Sequence, residues 1–178
     1  VSINETAIDK SGVAAVGWSN TGADGGSIDV LALSMTVDGD LDTGQSGYVA
    51  RSGKLDVDVL NELLVTGVVT AVPAYSGGRT SPGEINLAGN CIKIEGVNGD
   101  GESVTTDVPG SVNSASETVQ DDGNITIEGT GSNSHVYVAG LVTSERGDKA
   151  GTEGLVPGDI TITADYVYVD SSIGGVNL

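Results

Sequence analysis

The chain has no phenylalanine and one each of tryptophan, histidine, methionine and cysteine among its 178 residues. Without large aromatic side chains, its interior has to be filled by Val, Ile, Leu and Ala, which suits a narrow core between pleated strands. The lone Cys91 excludes an intrachain disulfide and leaves the redox compartment open. Only 7 basic residues stand against 25 acidic ones, a net charge of -18. Such a surface repels phosphates and anionic headgroups, so nucleic acid and membrane surfaces are disfavoured as partners. No apolar run approaches the roughly 18 residues that would span a bilayer. No stretch sustains a helical i, i+3, i+4 apolar pattern over three turns, whereas period-2 alternation is frequent. The chain opens at Val1 without a basic and apolar leader, which is read as a processed protein or an excerpt of a longer one.

What is present is a repeated phrase. Glycine, then alternating polar and apolar residues, occurs at Gly26-Ser27-Ile28-Asp29-Val30 and Gly53-Lys54-Leu55-Asp56-Val57. It returns at Gly83-Glu84-Ile85-Asn86-Leu87, Gly123-Asn124-Ile125-Thr126-Ile127 and Gly158-Asp159-Ile160-Thr161-Ile162. Three copies continue with apolar residues at offsets 0, +2, +7 and +9, as in Ile28, Val30, Met35 and Val37. The Leu55 copy is one residue longer and the Ile125 copy four, with 130–133 as the insertion. Residues two apart share a strand face, so each copy reads as a short strand, a corner, a second short strand and often a third. The corners fall near Ala32, Gly89, Gly129 and Ala164.

No copy can bury its apolar pairs alone, so the copies are expected to stack as a parallel β-solenoid of about five to six coils. The expected core stack is Ile28, Val30, Leu55, Val57, Ile85, Leu87, Ile125, Ile127, Ile160 and Ile162. Residues 1–178 form a single domain in this reading. Spacings of 27, 30, 40 and 35 residues between phrases leave long loop insertions on one face, the longest at Val97 to Asp122, others at Tyr75 to Pro82 and Thr143 to Pro157.

These phrases, above all Gly158 to Asp165 and Gly26 to Val30, resemble the repeats of filamentous-haemagglutinin-like exoproteins, which bacteria secrete typically by two-partner secretion. The resemblance spans about 150 residues as a pattern. It implies a right-handed parallel β-helix that is extracellular or attached to the cell surface, with adhesive or matrix-forming roles rather than catalysis.

Stacking would bring equivalent positions of neighbouring coils to about 4.8 Å, so candidate sites can be read as ladders. Between the first apolar pair the ladder is Asp29, Asp56, Asn86, Thr126, Thr161. Asp29 and Asp56 either splay into water or share a cation such as Ca²⁺, a hard ion that takes oxygen ligands. Asp38, Asp40 and Asp42, and the loop with Asp100, space their oxygens as calcium loops do, and also as ordinary polar turns do. On the second strand the outward ladder is Thr36, Leu64, Lys93, Tyr137, Tyr168, with Tyr166 beside the last two. Those tyrosines are a candidate glycan platform or protein contact, or a surface beneath a loop. The ladder Ser34, Glu62, Cys91, His135, Tyr166 makes Cys91 and His135 neighbours without a third orienting group.

Arg51, Arg79 and Arg146 fall in loops, so no basic cleft of a polysaccharide-cleaving β-helix can be read. Only Thr161 and Thr163 supply the Thr-x-Thr spacing of ice binding. The expectation is a non-enzymatic structural or adhesive solenoid without an obligatory cofactor, whose open strand edges favour self-association into a fibre. The rival is a carbohydrate-binding or polysaccharide-cleaving module.

Overall fold

In a computed structural model the chain is all-β, and we describe residues 2–3, 6–8, 13–14, 17–19, 25–47, 52–72, 82–95, 110–114, 123–144, 158–170 and 173–174. It begins with Ser2–Ile3, Thr6–Ile8, Val13–Ala14 and Gly17–Ser19 (β1 to β4), then Ile28–Ala32, Met35–Val37, Asp40–Asp42 and Gln45–Gly47 (β5 to β8). Leu55–Val59, Glu62–Val65 and Val68–Thr70 follow (β9 to β11), then Ile85–Gly89, Cys91–Ile94 and Ser111–Asn113 (β12 to β14). The last two triplets are Ile125–Gly129, His135–Val138 and Leu141–Thr143 (β15 to β17), and Ile160–Thr163, Tyr166–Val169 and Ile173–Gly174 (β18 to β20). Among the described residues there is no helix, hence none that could cross a membrane.

Each triplet gives one strand to each of three parallel sheets. The orders are β1-β5-β9-β12-β15-β18, β2-β6-β10-β13-β16-β19 and β3-β7-β11-β14-β17-β20, with β4 and β8 paired apart. The register is the one the phrases predict. Ile28 lies opposite Leu55, Leu55 opposite Ile85, Ile85 opposite Ile125, and Ile125 opposite Ile160. The one-residue and four-residue extensions are absorbed at corners, so Met35, Leu63, Ile92, Val136 and Val167 still align.

The core consists of aliphatic columns at right angles to the strands. Leu55, Leu63, Ile85, Ile92, Ile94, Ile125 and Ile127 are wholly buried. Of the ten residues expected in the core stack, eight are buried, while Ile160 and Ile162 are half-buried and pack against its edge. Among the described residues their strand β18 has one neighbour, β15, and no further pass covers its other side.

A second departure concerns the span Val97 to Asp122, read as one excursion. It contains β14, which fills the third-sheet place of its triplet with Val112 buried between Val69 and Val142. A three-residue strand shows a single inward apolar residue, too little for alternation to register. For the same reason Thr143, assigned to a loop, closes β17.

The phrase glycines have a steric cause. Gly53, Gly83 and Gly123 donate backbone N–H bonds to Thr43, Ala71 and Ser114 at 2.8, 3.0 and 3.0 Å, closing the base of each excursion. A Cβ on Gly83 would run into the carbonyl oxygen of Gly53, and one on Gly53 into that of Gly26. Thr43 Oγ1 donates to Gly53 O at 2.9 Å, and the buried Ser114 and Ser144 hydroxyls donate to the carbonyls of Gly83 and Gly158. The described strands on either side of 73–81, 115–122 and 145–157 belong to the third and first sheets, whereas those on either side of 96–109, β13 and β14, belong to the second and third.

Candidate functional site

The outward face of the second sheet carries the densest set of chemically distinctive side chains. Glu62, Cys91, His135 and Tyr166 form one column, and Leu64, Lys93, Tyr137 and Tyr168 the next. Alternation forces this: Leu63, Ile92 and Val136 are buried, so their neighbours point out, while Val167, in register with Val136 on the last strand of the sheet, is itself 47% exposed.

Tyr137 and Tyr168 stack with ring centroids 5.2 Å apart and planes 6° from parallel. Such a pair adds about 0.5–1.5 kcal/mol beyond its buried area. Tyr166 does not join them. It stacks on His135, at 4.7 Å and 14°, because the parallel register sets it over that residue rather than over a tyrosine. Tyr166 and Tyr168 are each 57% exposed, and Tyr137 is half-buried. The rings are stacked on one another along the columns, so the face between Tyr137 and Tyr168 is already occupied, as is that between His135 and Tyr166. A flat sugar platform presents its ring faces to solvent; here two of those faces meet each other. Burial and then the negative charge of Asp170 raise the pKa of the Tyr137 phenol.

At the other end of these columns Lys93 Nζ lies 2.6 Å from Glu62 Oε2. The hydrogen bond to Glu62, reinforced by its charge, raises the Lys93 pKa. Both side chains are partly exposed, so the pair is worth at most about 1 kcal/mol. Cys91 lies opposite Glu62 on one side and His135 on the other, two residues before Lys93 on the same strand. Burial pushes its thiol pKa up, Lys93 opposes this, and Glu62 adds to it by charge and hydrogen bonding. A nucleophilic cysteine needs the opposite shift. The His135 ring is engaged with Tyr166, and among the described residues no third His, Cys, Asp or Glu side chain joins it and Cys91 in a metal-holding group.

The acidic candidates are dispersed. Asp29 and Asp56 are in register on the first sheet, yet Asp56 is already satisfied: Oδ1 accepts from Asn86 Nδ2 at 2.8 Å and Oδ2 pairs with Lys54 at 3.2 Å. Asp38 Oδ1 accepts from Thr66 Oγ1 at 3.2 Å, and Asp42 Oδ1 accepts from Gly44 N at 2.6 Å, which folds a local turn. Asp40 is exposed on β7, and Asp100 lies outside the described residues, as do Arg51, Arg79 and Arg146. Among the described residues no three His, Cys, Asp or Glu side chains come together as a metal-holding group.

Sequence reasoning missed the His135–Tyr166 stack, although the ladder alignment already placed the two residues in one column. It also missed an exposed leucine cluster at the corner between first and second sheets, Leu31, Leu33 and Leu60. These interrupt the alternation and so read as noise. No protein-family model matches the chain, and comparison with curated proteins and with solved structures likewise gives no match.

Proposed function

We propose that the chain is one right-handed parallel β-helix of five to six coils, acting outside the cell or at its surface as a structural or adhesive element of a fibre or matrix filament. The observation that carries this reading is the register: strand triplets of unequal length and loop content still stack residue upon residue in all three sheets. A unit built this way accepts another like it at either edge, because an edge strand presents unpaired N–H and C=O groups. Right-handedness follows from the strong preference of parallel crossover connections for that hand.

In this reading the chain is not an enzyme. It self-associates by end-to-end coil stacking, or belongs to a longer stack, and needs no cofactor. A surface ligand such as a glycan would contact the exposed outer parts of the Tyr166 and Tyr168 rings, not the faces that meet in the stacks. The resemblance to filamentous-haemagglutinin-like repeats points the same way. Negative-stain electron microscopy of the purified 178-residue protein tests the self-assembly version. Unbranched filaments are expected, and uniformly dispersed monomers overturn it.

A further inference from the structure

We propose that Tyr137 and Tyr168 form an oxidative modification site, at which the two phenols couple to a dityrosine that staples consecutive strand triplets. The two residues are direct partners in the parallel pairing of β16 and β19. Their rings are 5.2 Å apart and within 6° of parallel. Carbon–carbon coupling of phenoxyl radicals needs two phenols held close for the lifetime of the radicals, and a hydrogen-bonded register supplies that without any search.

The arrangement is also selective. Tyr166 faces the imidazole of His135 rather than a phenol. Tyr166 and Tyr168 share a strand, two residues or about 6.6 Å apart along it, and their side chains extend in parallel without stacking.

The step balances as follows. A one-electron oxidant of the peroxidase and hydrogen peroxide class removes one electron and the phenolic proton from each tyrosine. Spin density at the ring carbons ortho to oxygen allows one C–C bond to form between the rings. The two displaced ring hydrogens return to the oxygens by tautomerisation, restoring both phenols. In sum, two phenols and one hydrogen peroxide give one biphenol and two waters. The Tyr137 phenol stays protonated at neutral pH, its pKa raised by burial and by Asp170 and, more weakly, Glu95. The protons that leave with the electrons end in the water formed from hydrogen peroxide. The inference is independent of whether the protein forms fibres.

The test treats dilute folded protein with a haem peroxidase and limiting hydrogen peroxide, followed by dityrosine fluorescence and mass spectrometry of the monomer fraction. The expected product is a monomer lighter by two hydrogens, with a cross-link joining the peptides that contain Tyr137 and Tyr168. Tyr137→Phe and Tyr168→Phe should each abolish it, and Tyr166→Phe should retain it, with unchanged far-ultraviolet circular dichroism in all three. The same oxidation in concentrated urea should lose the cross-link. A bond mapping to Tyr48, Tyr75 or Tyr166 overturns the proposal, as do dimers without an internal cross-link. Equal coupling in folded and unfolded chains also overturns it.

Discussion

Replacing Gly83 by alanine isolates one physical cause. At a position whose backbone an L-residue can adopt, Gly→Ala normally stabilises by about 0.4–1 kcal/mol, because it restricts the unfolded chain. Gly83 is not among the glycines with positive φ, so backbone conformation does not forbid the change. Space does. The new Cβ would run into the carbonyl oxygen of Gly53 in the adjacent triplet and meet Ala71 Cβ at 3.2 Å. The spacing between stacked strands, about 4.8 Å, is set by hydrogen bonds on both sides and cannot widen at one residue alone. The N–H to Ala71 and the bond received from the Ser114 hydroxyl hold Gly83 from two further directions. Overpacking of this kind costs about 1–3 kcal/mol. With a urea m-value of about 2 kcal/mol/M, a loss near 2 kcal/mol moves the midpoint down by about 1 M. Urea titration followed by far-ultraviolet circular dichroism reads this directly. A midpoint equal to or above that of the parent would refute the steric account of the phrase glycines.

Three further outcomes are expected. Ile92→Ala, at a wholly buried position on β13, should cost about 2–5 kcal/mol, measured by the same titration. Asp29→Asn removes one of two like charges in register and should stabilise by about 0.2–1 kcal/mol. Added salt should shrink that gain, and no salt dependence would show that the carboxylates do not sense each other. Cys91 should alkylate more slowly at neutral pH than in the urea-unfolded chain, since its folded pKa is raised. The sign for stability follows: the contribution is complete below the unfolded thiol pKa and is lost as pH climbs through the higher folded value. Faster alkylation in the folded protein would reverse the assignment.

The charge pattern has a structural consequence of its own. With 25 acidic residues against 7 basic ones, a stack of identical positions risks laying carboxylate upon carboxylate. The outward columns mostly avoid it by changing residue type between triplets. Asp56 is followed by Asn86 and Glu62 by Cys91. Asn86 and Lys54 then satisfy Asp56, and Lys93 satisfies Glu62. Glu62, Cys91 and His135 do follow one another in a column, yet among the described residues no three such side chains converge as a metal-holding group.

Apolar alternation alone determined the two-strand unit, its glycine, its corners and its register, including the extensions before Leu63 and Val136. That is because side chains two apart must share a face, and an apolar pair has nowhere to go but against its copy. It also placed Cys91 opposite His135 and Tyr137 opposite Tyr168, since a ladder is only an alignment seen sideways. Of the third strands it gave only a partial reading, and Ser111–Asn113 escaped it: that strand contributes one inward residue, and a period cannot be read from a single point. Only the tertiary structure decided that Tyr166 meets a histidine ring, that Asp56 is already satisfied by an amide and an ammonium, and that Ile160 is covered on one side. Each of these depends on where a side chain turns after leaving a backbone position that the pattern had correctly assigned.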